Sequence, residues 1–219
     1  MLSNSLSFIG QLKENNNKAW LEAHKPNLLT AKNEFSEVVD QILKSIVVFD
    51  KSMEGLQAKD CIFRIYRDVR FSLDKTPYKN HFGAFFCEGR TQSPGPGYYL
   101  HIEPGNKSFI GGGIYMPPSP ILQKIRQEID YNGSKLDKIF NDTSFKKYFN
   151  GLSNEDKLIR PPKGYLSDNP HIELLKLKSY VTGFNITDEE IVNGDIVKLS
   201  EKVFKAMYPL QLFLKEAID

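Results

Sequence analysis

The sequence predicts an α+β fold, a central antiparallel sheet of about four or more strands with N-terminal and C-terminal helices packed on it. Apolar residues recur at helical spacing over residues 26–49 and again over about 195–218, near the two ends of the 219-residue chain. Between them, four strand-like stretches follow one another from 61 to 115 with short links, the pattern of an antiparallel meander. No internal repeat or low-complexity linker divides the chain, so a single α+β domain over 1–219 is expected.

The elements can be justified in order. Residues 6–14 (LSFIGQLKE) place Leu6, Ile9 and Leu12 on one helical face, closed by Asn15, Asn16 and Asn17. Asn17 suits the cap of a short helix that carries Trp20 and Leu21. Over 26–49, Leu28, Ala31, Phe35, Val38, Val39, Ile42 and Ile46 form the stripe of the main helix on the sheet, with Pro26 in its first turn. Residues 50–60 are a polar connection containing Gly55. Strands are expected at about 61–71, 79–88, 98–103 and 107–115. TQSPGPG is a loop by its Pro and Gly content, and PGN is a short hairpin-like link.

Ser119-Pro120 opens a helix to about Tyr131, with Gly133 just past its end. Shorter helices are expected at 135–140 and 142–150, followed by the irregular LIRPPKGYLSDNP. Asn169 caps a helix at 170–178, and Thr187 with Glu190 has capping-box spacing. The last helical region turns Ile196, Leu199, Val203, Phe204 and Met207 inward, with a break or kink at Pro209.

Composition sets outer limits on function. Hydrophobic residues at 40% and charged residues at 26% are ordinary for a globular protein, and fifteen Phe and ten Tyr suffice to fill a core without metal staples. A formal charge of +2 gives no global argument for nucleic-acid or membrane binding, so any such case must be local. Cys61 and Cys87 form no CxxC and sit in apolar contexts, which suggests reduced, buried thiols and a cytoplasmic protein. MLSNSLSFIG lacks the basic flank and apolar core of a secretion signal. The apolar runs fall short of the about 20 residues a bilayer needs.

The charge is concentrated in one place. FRIYRDVRFSLDKTPYK, residues 63–79, holds five basic residues against two acidic ones, a local +3 that leaves −1 for the remainder of a +2 chain. Phe63, Ile65, Val69 and Phe71 read as the apolar face of a half-buried strand, leaving Arg64, Tyr66, Asp68 and Arg70 on the other face about 7 Å apart. Guanidinium groups suit bidentate binding of phosphate or carboxylate, and Lys75 and Lys79 lie beyond the Thr76-Pro77 turn where they can close on the same anion. Arg67 falls on the apolar side and needs a partner, a bulge or the sheet edge. The competing reading is a structural network in which Asp68 and Asp74 neutralise the arginines.

A second constellation is His81, His101 and Glu103. His101 and Glu103 are two apart on one strand and share a face, and His81 on the preceding strand reaches them if the register permits. They are the candidate proton handlers. Two imidazoles and a carboxylate are also a metal-ligand set, but no HExxH or comparable spacing accompanies them, and hydrogen-bonded sheet histidines are the commoner case. Gly111-Gly112-Gly113 lacks the Lys-Ser/Thr of a phosphate loop; it implies a bulge, a close backbone approach, or with Gly112 the floor of a pocket. Lys163 and His171 lie near a helix start in what reads as a packed loop, and Trp20 with His24 reads as a core anchor.

The runs FRIYRDVRFSLDKTPYKNHFGAFF, PGYYLHIEP, GGGIYMPP and PPKGYLSDNPHIELLKLKSY, with FIGQLKENNNKAWLEAHK near the start, closely resemble a bacterial and fungal family of conserved hypothetical proteins, domain of unknown function 2461. The resemblance spans essentially the whole chain and implies a one-domain α+β protein. It supplies no catalytic residues to carry over.

The functional expectation therefore rests on side chains. An anionic small molecule, phosphate- or carboxylate-bearing, is expected at Arg64, Tyr66, Arg67, Asp68, Arg70, Lys75, Lys79 and Gly112, with His81, His101 and Glu103 as catalytic groups of a hydrolase or transferase if the protein is an enzyme. The alternatives are a nucleic-acid-binding module with Tyr66 or Phe71 as stacking faces, and a structural protein with internally paired arginines. No cofactor, metal or membrane partner is called for.

Overall fold

A computed structural model describes residues 1–89 and 95–219 of the chain. Helices at both ends flank a four-stranded antiparallel sheet, the α+β arrangement expected. Helix α1 (Ser3–Glu14) buries Leu6, Ile9 and Leu12. Helix α2 (Lys18–Ala23) starts where the Asn17 side chain accepts the Trp20 N–H. Helix α3 (Lys25–Phe49) buries Ala31, Phe35, Val38, Val39, Ile42, Leu43 and Ile46, the stripe its periodicity predicts. Then follow α4 (Ala58–Cys61), α5 (Ser119–Asn141), α6 (Thr143–Lys146), α7 (Ile172–Leu175), α8 (Asp188–Asn193) and α9 (Ile196–Ile218). None of the described helices is long and apolar enough to cross a membrane.

The sheet runs β1 (Phe82–Phe86), β2 (Gly97–Ile102), β3 (Ser108–Ile114), β4 (Tyr180–Ile186), in that spatial order. Alternation divides it into two faces. Phe82, Ala84, Phe86, Tyr98, Leu100, Ile102, Ile110, Ile114, Tyr180 and Ile186 point into the core beneath α3 and α9. Gly83, Tyr99, His101, Phe109 and Gly183 occupy the opposite face. At the β2–β3 hairpin, Gly105 and Asn106 both take positive φ (88° and 59°), and the Asp188 carboxylate accepts both their N–H groups at 2.8 and 3.0 Å. The expected TQSPGPG loop lies largely outside the described residues.

Several expectations about the elements need correction. Residues 61–71 are not a strand. Only Ile62↔Ala84 and Tyr66↔Tyr78 form bridges, and a few backbone bonds (Phe63 N–H to Gly83 O, Arg67 N–H to Pro77 O, Lys79 N–H to Ile65 O) hold an extended arm along the outer edge of β1. The ladder cannot lengthen, because Pro77 has no N–H and the Asp68 and Asp74 carboxylates take the N–H groups of Arg70 and Thr76 into local turns. Phe71, assigned to the core face, is 95% exposed.

The fourth strand is instead β4, which carried no assignment because Thr182, Gly183 and Asn185 dilute its apolar alternation. Helix α5 does not stop at Gly133. It bends at Asn132 (φ −128°, ψ 23°) and continues, since Gly133 is a contact point whose missing side chain makes room for the His171 ring. Helix α9 likewise runs through Pro209, held by the buried Met207, Leu210, Phe213 and Leu214 on either side. Between α5 and the approach to β4, the buried Arg126 donates to the carbonyls of Leu175 and Leu177 at 2.7 and 3.1 Å. Asn169 accepts the His171 N–H before α7, a single turn rather than a helix over 170–178.

Gly112 belongs to the packed face and not to a ligand pocket. A Cβ there would lie 2.4 Å from the Gly97 carbonyl oxygen, 2.6 Å from Met207 Sδ and 2.8 Å from Gln211 Nε2. Glycine is what lets α9 lie this close to β3. Gly112→Ala is expected to destabilise the fold by about 1–3 kcal/mol through overpacking. Urea unfolding should show this as a lower midpoint at unchanged slope, and an unaltered midpoint would refute the close approach.

Candidate functional site

The site is built on the sheet face opposite α3 and α9. Tyr99 and His101 on β2 and Glu103 just past its end follow one another on that face, and the β1–β2 register sets Gly83 opposite His101. Glycine at 83 is required there, because an added Cβ would fall 2.8 Å from the Tyr99 hydroxyl oxygen. That hydroxyl lies 3.1 Å from His101 Nδ1, and His101 Nε2 lies 3.0 Å from Glu103 Oε2. A carboxylate can only accept, so Nε2 carries the proton and Nδ1 accepts from the tyrosine. The result is a continuous Tyr99–His101–Glu103 hydrogen-bonded line. The Ser108 hydroxyl fixes its end, accepting the Glu103 N–H at 3.0 Å and donating to the Glu103 carbonyl at 3.1 Å.

His81 joins from the residue before β1. Its ring stacks on His101 at 4.3 Å between centroids, while Phe109 stacks on the His101 ring at 4.8 Å. The structure thus brings His81, His101 and Glu103 together, with ligating atoms within 4.8 Å of one another. The same three could hold a metal only by giving up the His101–Glu103 hydrogen bond beside a lysine ammonium. As they stand, His101 is hydrogen-bonded to Glu103 and His81 stacks on its ring.

Burial shapes the electrostatics. The His81 pKa falls from its ordinary 6.5 to about 4, by burial first and then by the nearby His101 and Lys79. His101 is also lowered by burial, with Glu103 opposing. Burial and then Glu103 push the Tyr99 phenol up to about 12. At neutral pH the site therefore holds two neutral imidazoles and a protonated phenol.

The basic residues divide into two groups. Arg67, half-buried, donates to Asp74, Thr76 and Ser72, which meets its need for a partner. Arg70 makes a bidentate pair with Asp68 at 2.9 and 2.6 Å, and Lys75 donates to the Val69 carbonyl at 2.9 Å. Asp68 is held down at about 2 by the Arg70 side chain and N–H, and Asp74 at about 2 by the Thr76 N–H and then Arg67. Arg67 and Arg70 are thus paired with the protein's own acids, and Lys75 is turned to a backbone carbonyl. Tyr66, 53% exposed, packs edge-on against Tyr78.

Arg64 and Lys79 form the other group. Among the described residues neither has a carboxylate partner in contact. Lys79 is half-buried, its ammonium 5.1 Å from the centre of the Phe63 ring, and its pKa is lowered by burial and then by Arg64. It adjoins His81.

Other candidates fall away. Cys61 and Cys87 are buried, and the Cys61 thiol is pushed up to about 12 by burial and then by Cys87, which removes its nucleophilicity. His171 contacts Asp137 at 2.9 Å and fills the space at Gly133, while His24 stacks on Trp20 at 4.1 Å. Tyr99 was the residue missed. Its signal was its position two residues before His101 on a strand already expected.

Comparison with known proteins adds the family. Residues 4–213 match the conserved hypothetical proteins of domain of unknown function 2461. The chain belongs to this family. No curated protein and no solved structure matches the chain. In this member of the domain of unknown function 2461 family, the Tyr99–His101–Glu103 line and the Arg64–Lys79 pair are thus defined by geometry alone.

Titration of His81 has a definite sign. An unfolded His81 binds its proton near 6.5 and the folded one near about 4, so between these values the unfolded state holds more protons and acid favours it. The stability tied to His81 is full above pH 6.5 and is lost as pH falls through about 4. His81→Phe keeps the stacking on His101 and should flatten this part of the stability curve, read from urea midpoints at pH 4–7. An unchanged slope would show that His81 is not buried in its neutral form.

Proposed function

We propose that the open face of the sheet binds a small anionic ligand, phosphate- or carboxylate-bearing, with the Tyr99–His101–Glu103 line as its acid–base group. One observation carries the reading: a half-buried Lys79 ammonium beside Arg64, with no carboxylate in hydrogen-bond or ion-pair contact with Lys79 among the described residues, while Arg64 feels Asp68 only at a distance. Burying a lone cation is costly, and an incoming anion removes that cost. Flat ligand groups find the rings of Phe63, Tyr99 and Phe109 on the same face, with Phe63 and Phe109 edge-on or tilted to Tyr99 at 6.3 and 5.5 Å.

As a proton relay, the line suits a base. A substrate hydroxyl or water gives its proton to the Tyr99 oxygen as Tyr99 passes its own proton to His101 Nδ1. The imidazolium so formed is stabilised by Glu103. Hydrolysis or group transfer at a phosphate or carbonyl is the reaction class that uses such a base beside two cations. In this reading a cytoplasmic location agrees with the reduced thiols.

Inorganic phosphate, pyrophosphate and nucleoside monophosphates should raise the melting temperature of the full chain. Lys79→Met and Arg64→Ala should each weaken binding at least about tenfold, the scale of a charge-assisted hydrogen bond. Arg70→Ala, which breaks only the exposed Asp68 pair, should leave it unchanged. Absence of any shift, or equal losses in all three variants, would refute the site.

A second reading has one observation behind it. Phe71 is 95% exposed at the tip of the basic arm, with the Arg70 guanidinium 5.9 Å from its ring centre, an arrangement suited to stacking a single-stranded base. It requires salt-dependent binding of unrelated oligonucleotides that is lost in Phe71→Ala and kept in Lys79→Met.

A further inference from the structure

A separate cavity lies on the helix-covered side of the sheet. It has a volume of about 520 Å³ and opens between the end of α3, the 3-10 turn Lys51–Met53 and the last turns of α9. That is within the range of small-molecule sites, roughly 300–1,000 Å³. Its walls include Phe49, Tyr98 and Tyr208, with Phe49 edge-on to Tyr98 at 6.1 Å and to Tyr208 at 5.6 Å.

The most deeply buried charged group in its wall is an acceptor. Asp50 is only 6% exposed, and its carboxylate accepts from the Tyr98 hydroxyl at 2.8 Å, the Ser52 hydroxyl at 2.7 Å and the Ser52 N–H at 3.1 Å. All three donors are neutral and bring no counter-charge to the carboxylate. Gln211, 4% exposed, lines the same cavity. Its Nε2 donates to the Gly97 carbonyl at 2.9 Å, while its Oε1 is buried with no hydrogen-bond partner among the described residues. Buried polar atoms are seldom left in that state.

Two lysines, Lys51 and Lys215, also line the cavity; Lys215 is engaged with Glu88 at 2.5 Å on the rim, and its pKa is raised by Glu88 and further by Asp219 and Asp50. The acidic side chains of Asp50, Glu88 and Asp219 outnumber these lysines among the described lining residues. An aromatic wall and a buried carboxylate held by neutral donors share one complement, a positive group with N–H donors on an apolar body.

We propose that this cavity binds a small organic ammonium, a protonated primary amine carrying an aromatic or branched apolar body. The nitrogen donates to Asp50, and the body lies against Phe49 and Tyr208. This ligand is opposite in charge to that of the open sheet face, and neither site depends on the other.

Calorimetric titration of the full chain with phenethylammonium chloride at pH 7 tests this, with 2-phenylethanol and phenylacetate as matched controls. The amine should bind, the alcohol at least about tenfold more weakly for lack of the charge-assisted bond, and the carboxylate not at all. Asp50→Asn should abolish the preference for the amine. Leu212→Trp, a substitution at a rim position 42% exposed, should block entry without disturbing the core. It keeps the question answerable if Asp50→Asn does not fold. Arg64→Ala should leave amine binding intact. No amine binding, equal binding of amine and alcohol, or full affinity in Leu212→Trp would overturn the proposal.

Discussion

The structure depends on the closeness of α9 to β3. With no side chain at Gly112, Met207 and Gln211 come down onto the strand, and the Gln211 amide reaches across to the Gly97 carbonyl. A helix seated this deeply closes one face of the sheet, together with α3, over Tyr98, Leu100 and Ile110. Burial of that face supplies most of the driving force for folding, at roughly 25 cal/mol per Å² of apolar surface removed from water.

Period-two alternation then fixes the chemistry of the other face. Once Tyr98, Leu100 and Ile102 are committed to the core, Tyr99, His101 and Glu103 must stand on the far side. A slip of one residue would exchange the two sets. The burial that seats the helices thus also lines up the relay. The rings of Phe63, Phe109 and His81 then lower the polarity around His101, which keeps it neutral and able to accept a proton.

How legible this was in the sequence differed by scale. The long helices could be read because Ala31, Phe35, Val38, Ile42 and Ile46 repeat a local period that tertiary packing reinforces. The union of His101 with Glu103 needed only strand alternation, but the arrival of His81 needed the β1–β2 register, which no local pattern carries. The arm at 61–71 misled because alternating apolar residues say nothing about whether a partner strand offers N–H groups. Pro77 offers none. β4 escaped for the converse reason: Gly183 and Asn185 weaken its own pattern, yet β3 supplies a full ladder for it. Nor could residue types show which arginines were free. Arg67 and Arg70 make direct ion pairs with Asp74 and Asp68, whereas Arg64 feels Asp68 only at a distance.

That difference decides where ligand binding can be sought. A cation that has found its acid in an exposed loop gains little from a second anion, since the new contact must displace the old one in high dielectric. Lys79 is in the other situation. Its ammonium is lodged against Phe63 and beside Arg64, and burial and like charge both work against its protonation. Asp50 repeats the argument with the sign reversed, since neutral hydroxyls and an amide hydrogen-bond to it without cancelling its charge. Folding alone improves neither position: a methionine at 79 or an asparagine at 50 would spare the chain the desolvation. In the two proposed sites each charge meets a counter-charge that arrives from outside, negative at the open face of the sheet and positive beneath α9.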